Sequence, residues 1–384
     1  MAPLRVHHPL EARARYGARY DTLIDAIDRV DPLADAVVDA LADAPRGHGV
    51  HPIDRAFDDP RDPSLPGPLR ELVAAARTPP PWVDWDRIAA AGRLFTRSGV
   101  LGGLTLALRS LLAGYFAPAG NKPLAISGRL RQQAPRRLAE TGRFVTAVCA
   151  QGGLRPGAEG VRITLKVRLM HAQVRRLLLR SDRWDLARWS LPINQHDMLA
   201  TILLFSVIFT DGLRLLGLDL DDADGDTYVH LWRYVGVLIG VEPDLLPWSE
   251  AEARRDTELI ALTQGPPDDD SRALVDALLK YLAEVSPVLV GDPKRRLALA
   301  SSLARRLLGD PAADRMGLPR SPLDLALPLL THAIHGLDRA AHRLPPLAAA
   351  RLHLGRRYWH DAVEAALGGR PATFGLPGGL AQRA

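Results

Sequence analysis

The stretch Val161–Arg180, VRITLKVRLMHAQVRRLLLR, has the clearest structural pattern in the chain. Its apolar residues recur at spacings of three and four, as one face of an α-helix requires, and neither Gly nor Pro interrupts it. The sequence therefore predicts a single helix over these residues. One histidine, His171, lies on the apolar face, between Val167 one turn earlier and Val174 almost one turn later.

An imidazole on an apolar helix face has two interpretations. It can be a core histidine whose ring hydrogen-bonds a backbone carbonyl, and the helix by itself favours this one. It can also be the ligand of a haem iron. In that case Arg168 and Arg175, three residues before His171 and four after it, would bind the haem propionates or hold the helix in place.

Three further segments accompany the motif RLMHAQVRR (168–176) in a fixed order. They are RRLAETGRFV (136–145), LPINQHDMLATILLFSVIFTDGLRLLG (191–217) and HLGRRYWHDAV (353–363). Together the four segments resemble the rubber oxygenase (latex clearing protein) and MpaB-type oxygenase family, over Asp54–Leu367. The resemblance implies an all-α, globin-like core that binds b-type haem. It also implies that His171 is the proximal ligand of the haem iron.

The segment before the histidine helix predicts a second helix over Arg136–Ala150. Arg137, Thr141, Phe144 and Val148 share one of its faces, at spacings of four, three and four. Two polar residues followed by two apolar ones suit the oxygen-binding side of a haem. A hydrogen-bond donor there stabilises bound oxygen, while apolar side chains such as Phe144 contact the cofactor and hold a hydrocarbon.

The family resemblance adds roles for three residues of this second helix. In rubber oxygenases the segment has the pattern R-x-x-K-T, whose arginine, lysine and threonine line the distal pocket. Arg137 and Thr141 match this pattern, whereas Glu140 occupies the lysine position. The reversed charge weakens the case for cleavage of a polymer. The alternative is that Arg137 pairs with a surface acid and that Glu140 is solvated.

Composition agrees with a helical protein. Of the 384 residues 47% are hydrophobic but only 5% are aromatic, so Leu, Ala and Val must build the core. We predict an all-α protein, a large single-domain helical bundle, in three parts. Residues 1–53 hold an N-terminal helix around Tyr20–Ala42 and an extended arm, residues 54–367 form the haem-binding oxygenase domain, and residues 368–384 are a tail.

Charge and special residues exclude several classes of function. The net charge is +5, but the arginines are scattered among acids, which argues against a nucleic-acid partner. Cys149 is the only cysteine, so an intramolecular disulfide is excluded, and its helical position indicates a small core residue. Asn194 caps a predicted apolar helix, Gln195–Leu216, whose longest apolar run, Met198–Thr210, is too short to span a bilayer. With no apolar leader visible, we expect a cytoplasmic protein without stable membrane insertion.

These observations support three hypotheses. The first is a haem b oxygenase that acts with O2 on an apolar, prenyl or olefinic, small molecule, with Arg137, Glu140 and Thr141 as its catalytic residues. The second is a non-catalytic haem protein that carries or senses a gas. The third is a helical carrier of an apolar ligand, without haem. Substrate, oxygen stoichiometry and oligomeric state are open at this point.

Overall fold

The structure is a computed structural model that describes residues 3–42, 50–126, 134–285, 289, 291–370 and 372. The chain is 76% helical, and no strand occurs in the described ranges. It forms a single helical domain, which confirms the all-α prediction.

Twenty helices follow one another along the described chain. The first ten are α1 (Pro9–Tyr16), α2 (Ala18–Asp25), α3 (Pro32–Ala42), α4 (Pro52–Asp58), α5 (Gly67–Arg77), α6 (Trp85–Thr105), α7 (Leu112–Gly114), α8 (Pro118–Ile126), α9 (Ala134–Cys149) and α10 (Glu159–Leu179). The next ten are α11 (Leu186–Trp189), α12 (Gln195–Phe205), α13 (Val207–Leu215), α14 (Asp222–Ile239), α15 (Glu250–Thr263), α16 (Asp269–Val285), α17 (Pro293–Leu308), α18 (Asp310–Arg315), α19 (Leu327–Arg343) and α20 (Pro345–Leu367).

Helix α10, the predicted histidine helix, lies at the centre of this arrangement. It packs against α3, α9 and α14. Val161, Leu165, Ala172 and Leu178 are buried on it, as the apolar spacing predicts. Cys149, at the end of the neighbouring α9, is buried in the main core, which confirms it as a small core residue.

Helices α6 and α20 approach each other closely at two glycines. Gly99 interrupts α6 with a φ of 47°, a backbone conformation that residues with a Cβ seldom adopt. Opposite it lies Gly355 of α20, where an added Cβ would meet the carbonyl oxygen of Thr96. After Thr105 the chain continues as one π-helical segment, Leu106–Leu111. Such segments are rare and are frequently found at functional sites.

The predicted N-terminal helix around Tyr20–Ala42 is wrong as one continuous element. Helix α2 ends at Asp25, and α3 begins at Pro32 after the 3-10 turn Ala26–Asp28. Proline disfavours a helical residue before it, and Asp31 accepts a hydrogen bond from the backbone N–H of Ala34, so a new helix begins there. The predicted extended arm also contains a helix, α4. The division of the chain at residues 53 and 367 stays a prediction.

The predicted apolar helix Gln195–Leu216 is broken at Ser206, between α12 and α13. Asn194 caps it as predicted, by accepting a hydrogen bond from the N–H of Asp197 at 2.9 Å. Together, residues 195–215 are long and apolar enough to cross a membrane, but a helix from the core of a folded domain also meets this test. Its buried residues, among them Leu199, Ile202 and Phe209, belong to the main core. Localisation therefore stays a prediction.

Candidate functional site

A cavity of about 1720 Å³ lies between α9, α10, α12, α20 and the π-helical segment. Ligand pockets usually measure about 300–1,000 Å³, so this one has room for a cofactor together with a second molecule. Most of its lining is apolar, with Leu106, Phe144, Val167 and Phe205 among the residues. Such a lining suits a hydrophobic ligand.

His171 lies in this cavity lining. Its Nδ1 is buried and has no hydrogen-bonding partner, and no hydrogen bond joins the imidazole to any residue that the structure describes. The interpretation of a core histidine requires a backbone carbonyl that accepts from the ring, and no described residue supplies one. A polar ring removed from water without a partner costs free energy, which a bound ligand would offset.

The protein environment keeps the His171 imidazole neutral. Burial lowers its pKa to about 4, and the charges of Arg175 and Arg137 act in the same direction, against Asp31. A neutral imidazole has a free lone pair on one ring nitrogen, which is the form that binds a metal ion.

Helix α9 supplies polar side chains to the cavity lining. Arg137, Thr141 and Phe144 line the cavity, as the face prediction requires, and Glu140 lines it as well. Val148, predicted on the same face, is instead fully buried in the core next to it. The structure thus brings the candidate residues of α9 and the histidine of α10 to one cavity, although 27 or more residues of sequence separate them.

Arg137 has no hydrogen bond or ion pair with another residue of the described chain. The residue is exposed, yet desolvation lowers the pKa of its guanidinium. Arg137 is also a lining residue of the cavity. The alternative of a pair with a surface acid finds no support. Thr141, one turn later, also makes no side-chain hydrogen bond within the described ranges.

Glu140 lines the cavity but is also anchored on its own helix. Its carboxylate accepts a hydrogen bond from Nε of Arg136, one turn earlier, at 3.2 Å. The Glu140 side chain is only 16% exposed, whereas that of Arg136 is 42% exposed. The carboxylate is therefore largely shielded from water, and its partner reaches it from the outer side.

Arg168 and Arg175, the predicted propionate partners, lie elsewhere. Arg168 donates to both carboxylate oxygens of Asp31, at 2.6 and 2.9 Å. Arg175 donates to Asp35 at 2.6 Å and to the carbonyl oxygen of Ile193 at 2.9 Å. Neither arginine lines the cavity. The geometry assigns them to the other predicted role, holding helix α10 in place.

Sequence reasoning missed Tyr115, which follows α7. Its side chain is 8% exposed and lines the cavity, and it interacts electrostatically with Arg137. Burial raises the pKa of its hydroxyl to about 12, so the group stays protonated. Nothing in the local sequence distinguishes this tyrosine from a core residue.

These features fit a haem better than a bare metal ion. His171 offers one neutral nitrogen ligand, and no group of three His, Cys, Asp or Glu side chains in the described residues could hold a metal ion. An iron bound here would need most of its ligands from a macrocycle. The apolar cavity has the volume for such a planar group, with Arg137 as a cationic contact.

Comparisons with known proteins identify the family of this chain. Residues 85–343 match the family model described as "ER-bound oxygenase mpaB/B'/Rubber oxygenase, catalytic domain". The chain is 25% identical over 344 residues to a rubber oxygenase from Streptomyces sp. (strain K30), covering 87% of this chain and 82% of that protein.

A solved structure of latex clearing protein LCP in the closed state has a similar fold. The TM-score is 0.67 at 22% identity, and the match covers 87% of this chain and 91% of the other. At this level of identity the likeness shows the fold and nothing finer.

Proposed function

Because the chain belongs to the mpaB/B′ and rubber oxygenase catalytic-domain family, we propose that it is a haem b-dependent oxygenase of an apolar, olefinic small molecule. The family establishes an oxygenase. The cofactor and the substrate class are the proposal, and they depend on the residues of the cavity.

One observation carries the proposal: the imidazole of His171 lies in the lining of a large apolar cavity with no hydrogen-bonding partner in the described chain. An unsatisfied buried polar group is retained against its free-energy cost when a ligand uses it. His171 would hold the haem iron, and Phe144 would pack against the cofactor. The chemistry that haem supplies when bound is the activation of O2.

Arg137 and Thr141 would donate hydrogen bonds into the cavity that His171 also lines. Both line the cavity, neither makes a side-chain hydrogen bond to another described residue, and they are one turn apart on α9, so they can reach a common point. A guanidinium with several donors is suited to an oxygen species that carries negative charge. These two residues would position and stabilise it.

Glu140 would act as the base. Its carboxylate can accept a proton at one oxygen from the carbon next to a double bond, while Arg136 hydrogen-bonds the carboxylate from the outer side. The apolar lining keeps water from that proton transfer and holds the hydrocarbon. Oxidative cleavage of a carbon–carbon double bond, or insertion of oxygen beside it, is the reaction class that these groups support.

The rubber oxygenase that this chain resembles acts, by its name, on rubber. For this chain we propose a small molecule instead, because Glu140 places a carboxylate where the family pattern has a lysine. The cavity is large enough to enclose such a substrate beside the cofactor. Its volume also favours an enzyme over a gas carrier, which needs room for a diatomic molecule only.

The visible spectrum of the purified protein, with a haem assay, tests the proposal directly. We expect a Soret band and about one b-type haem per chain. Oxygen-dependent turnover of prenyl or olefinic compounds then separates an oxygenase from a non-catalytic haem protein. A chain that is colourless and does not change the spectrum of added haem would contradict the proposal and leave an apolar carrier.

A further inference from the structure

The π-helical segment Leu106–Leu111 and the turn after it supply two hydroxyl groups to the cavity lining, those of Ser110 and Tyr115. The proposed function gives neither of them a role. Ser110 is 2% exposed and Tyr115 is 8% exposed, so both side chains are removed from bulk water. A buried hydroxyl costs free energy unless a hydrogen-bonding partner satisfies it.

Ser110 has no such partner within the described chain. Its Oγ is buried, and no hydrogen bond joins it to any described residue. Earlier buried hydroxyls of the same stretch of helix are satisfied by a carbonyl oxygen three or four residues back. Ser98 Oγ donates to Phe95 at 2.6 Å, and Thr105 Oγ1 donates to Leu101 at 2.7 Å. Ser110 lacks this bond and lines the cavity, so its hydroxyl is available for a ligand.

The hydroxyl of Tyr115 is a second available donor. It makes no hydrogen bond within the described ranges. Burial raises its pKa to about 12, so the phenol keeps its proton. The backbone N–H of Tyr115 donates to Leu111 at 3.2 Å, and Nδ2 of Asn121 donates to the carbonyl oxygen of Gly114 at 3.3 Å. These bonds hold the turn that carries the phenol.

The π-helical turn is an independent indication of function at this point. Such turns are rare inside α-helices and are frequently found at functional sites. Five of the six residues of the segment line the cavity, and the sixth, Leu108, is fully buried in the core. A π-helical turn contains an extra residue, which displaces the side chains that follow, including Tyr115, around the helix axis.

We propose that Ser110 and Tyr115 bind the carbonyl oxygen of the substrate, so that the substrate is an olefinic carbonyl compound and not a plain hydrocarbon. A carbonyl oxygen has two lone pairs and can accept one hydrogen bond from each hydroxyl. Both donors are neutral, which matches an uncharged acceptor. This inference rests on the proposed function, because it names the substrate class of the same cavity.

Tyr115 also relates this site to the candidate residues of α9. It interacts electrostatically with Arg137, which lines the same cavity. A bound carbonyl would therefore hold one end of the substrate near α9, while the apolar remainder contacts the lining. Hydrophobic contact is not directional, whereas hydrogen bonds fix an orientation. The two hydroxyls would thus decide how an otherwise uniform hydrocarbon chain lies in the cavity.

Binding of two matched ligands to the full chain tests the site. Geranylacetone is an olefinic ketone, and the hydrocarbon of the same skeleton has a methylene group in place of the carbonyl. Isothermal titration calorimetry measures both dissociation constants. Ser110→Ala and Tyr115→Phe should each weaken geranylacetone binding about three- to tenfold. Hydrocarbon binding should change by less than about twofold, because no hydrogen bond to it is lost.

The matched control is Ser98→Ala. Ser98 is a buried serine of α6 that does not line the cavity, so its loss should change neither dissociation constant. The hydrocarbon is an internal control for every variant, because its unchanged affinity shows that the cavity is intact.

Infrared spectroscopy of bound geranylacetone, labelled with carbon-13 at the carbonyl, gives a readout that altered packing alone would not change. Hydrogen bonds to a carbonyl oxygen lower its stretching frequency. The band of the wild-type complex should lie below that of the ketone in a hydrocarbon solvent. Ser110→Ala and Tyr115→Phe should each move the band part of the way back, whereas Ser98→Ala should not.

Several outcomes would overturn the carbonyl site. They are an unshifted carbonyl band in the wild-type complex, a wild type that binds neither ligand, and equal losses of affinity for ketone and hydrocarbon in Ser110→Ala and Tyr115→Phe. Unchanged geranylacetone affinity in both variants also overturns it. Neither measurement needs haem or oxygen, so the site fails independently of the visible spectrum that tests the proposed function.

Discussion

Neighbouring polar residues of helix α10 differ in how they are satisfied. Arg168 and Arg175 are paired with Asp31 and Asp35, and both guanidinium groups also donate to backbone carbonyls. His171, one turn from each, makes no hydrogen bond within the described chain and borders an apolar cavity. The paired arginines account for the position of the helix, and the imidazole is available for a ligand.

This difference separates structural from functional polar residues. A buried ion pair with complete hydrogen bonding leaves no group to bind anything else, so its loss is felt in stability. An imidazole without a hydrogen-bonding partner among the described residues contributes little to stability and is free to bind a ligand. Sequence proximity to His171 made both arginines candidates for the same site, and their partners exclude them from the cavity.

The largest effect is expected for substitution of His171, on haem content. His171→Ala should reduce haem from about one per chain to almost none. The unfolding free energy of the haem-free protein should change by less than about 1 kcal/mol, because no hydrogen bond is lost. A haem assay and denaturant unfolding measure the two quantities. A variant that keeps the wild-type spectrum and haem content would contradict the assignment of the iron ligand.

Arg168→Met should instead lower stability and leave haem binding unchanged. It leaves the Asp31 carboxylate, 4% exposed, without its partner, and should lower the unfolding free energy by about 3–5 kcal/mol. Haem bound per folded chain should not change. The added substitution Asp31→Leu should recover part of the stability, because it removes the stranded charge. Loss of haem at unchanged stability would instead restore the propionate role of Arg168.

Glu140→Gln examines the cavity without touching His171, the proposed iron ligand. If the carboxylate is the base, turnover should fall by about a hundredfold or more while the resting spectrum stays the same. Arg136→Gln is the matched control, since it removes the ion pair of Glu140 but keeps the carboxylate. An unchanged rate in Glu140→Gln would assign this residue to helix stabilisation alone.

The smallest expected effects concern oxygen affinity. A hydrogen bond to a charged group is worth roughly 1.5–3 kcal/mol, so Arg137→Ala should weaken oxygen binding by the reduced protein roughly 10- to 100-fold. Thr141→Ala should weaken it less, because a hydroxyl is a single neutral donor. Titration at the Soret band measures both, at unchanged haem content. Equal affinities in the wild type and both variants would show that α9 does not contact bound oxygen.

The local sequence determined the helices themselves. Helix α10, the cap at Asn194 and the interruption of α6 at Gly99 are all set by residues within one or two turns, because helical periodicity, capping and glycine conformation act at short range. The family motif also identified His171 and the candidate residues of α9 from the sequence. The single helix predicted over Tyr20–Ala42 was wrong. The apolar spacing continues through Pro32, but a proline disfavours helical backbone at the residue before it, so one continuous helix cannot pass this position.

Only the tertiary structure decided which polar groups are available for function. Asp31 lies 137 residues from Arg168, and Asp35 lies 140 residues from Arg175, so no local pattern indicates that these arginines are already paired. The ion pairs and the exposure of a side chain depend on which distant segments meet in the fold. The local helical spacing of a sequence does not indicate which segments these are.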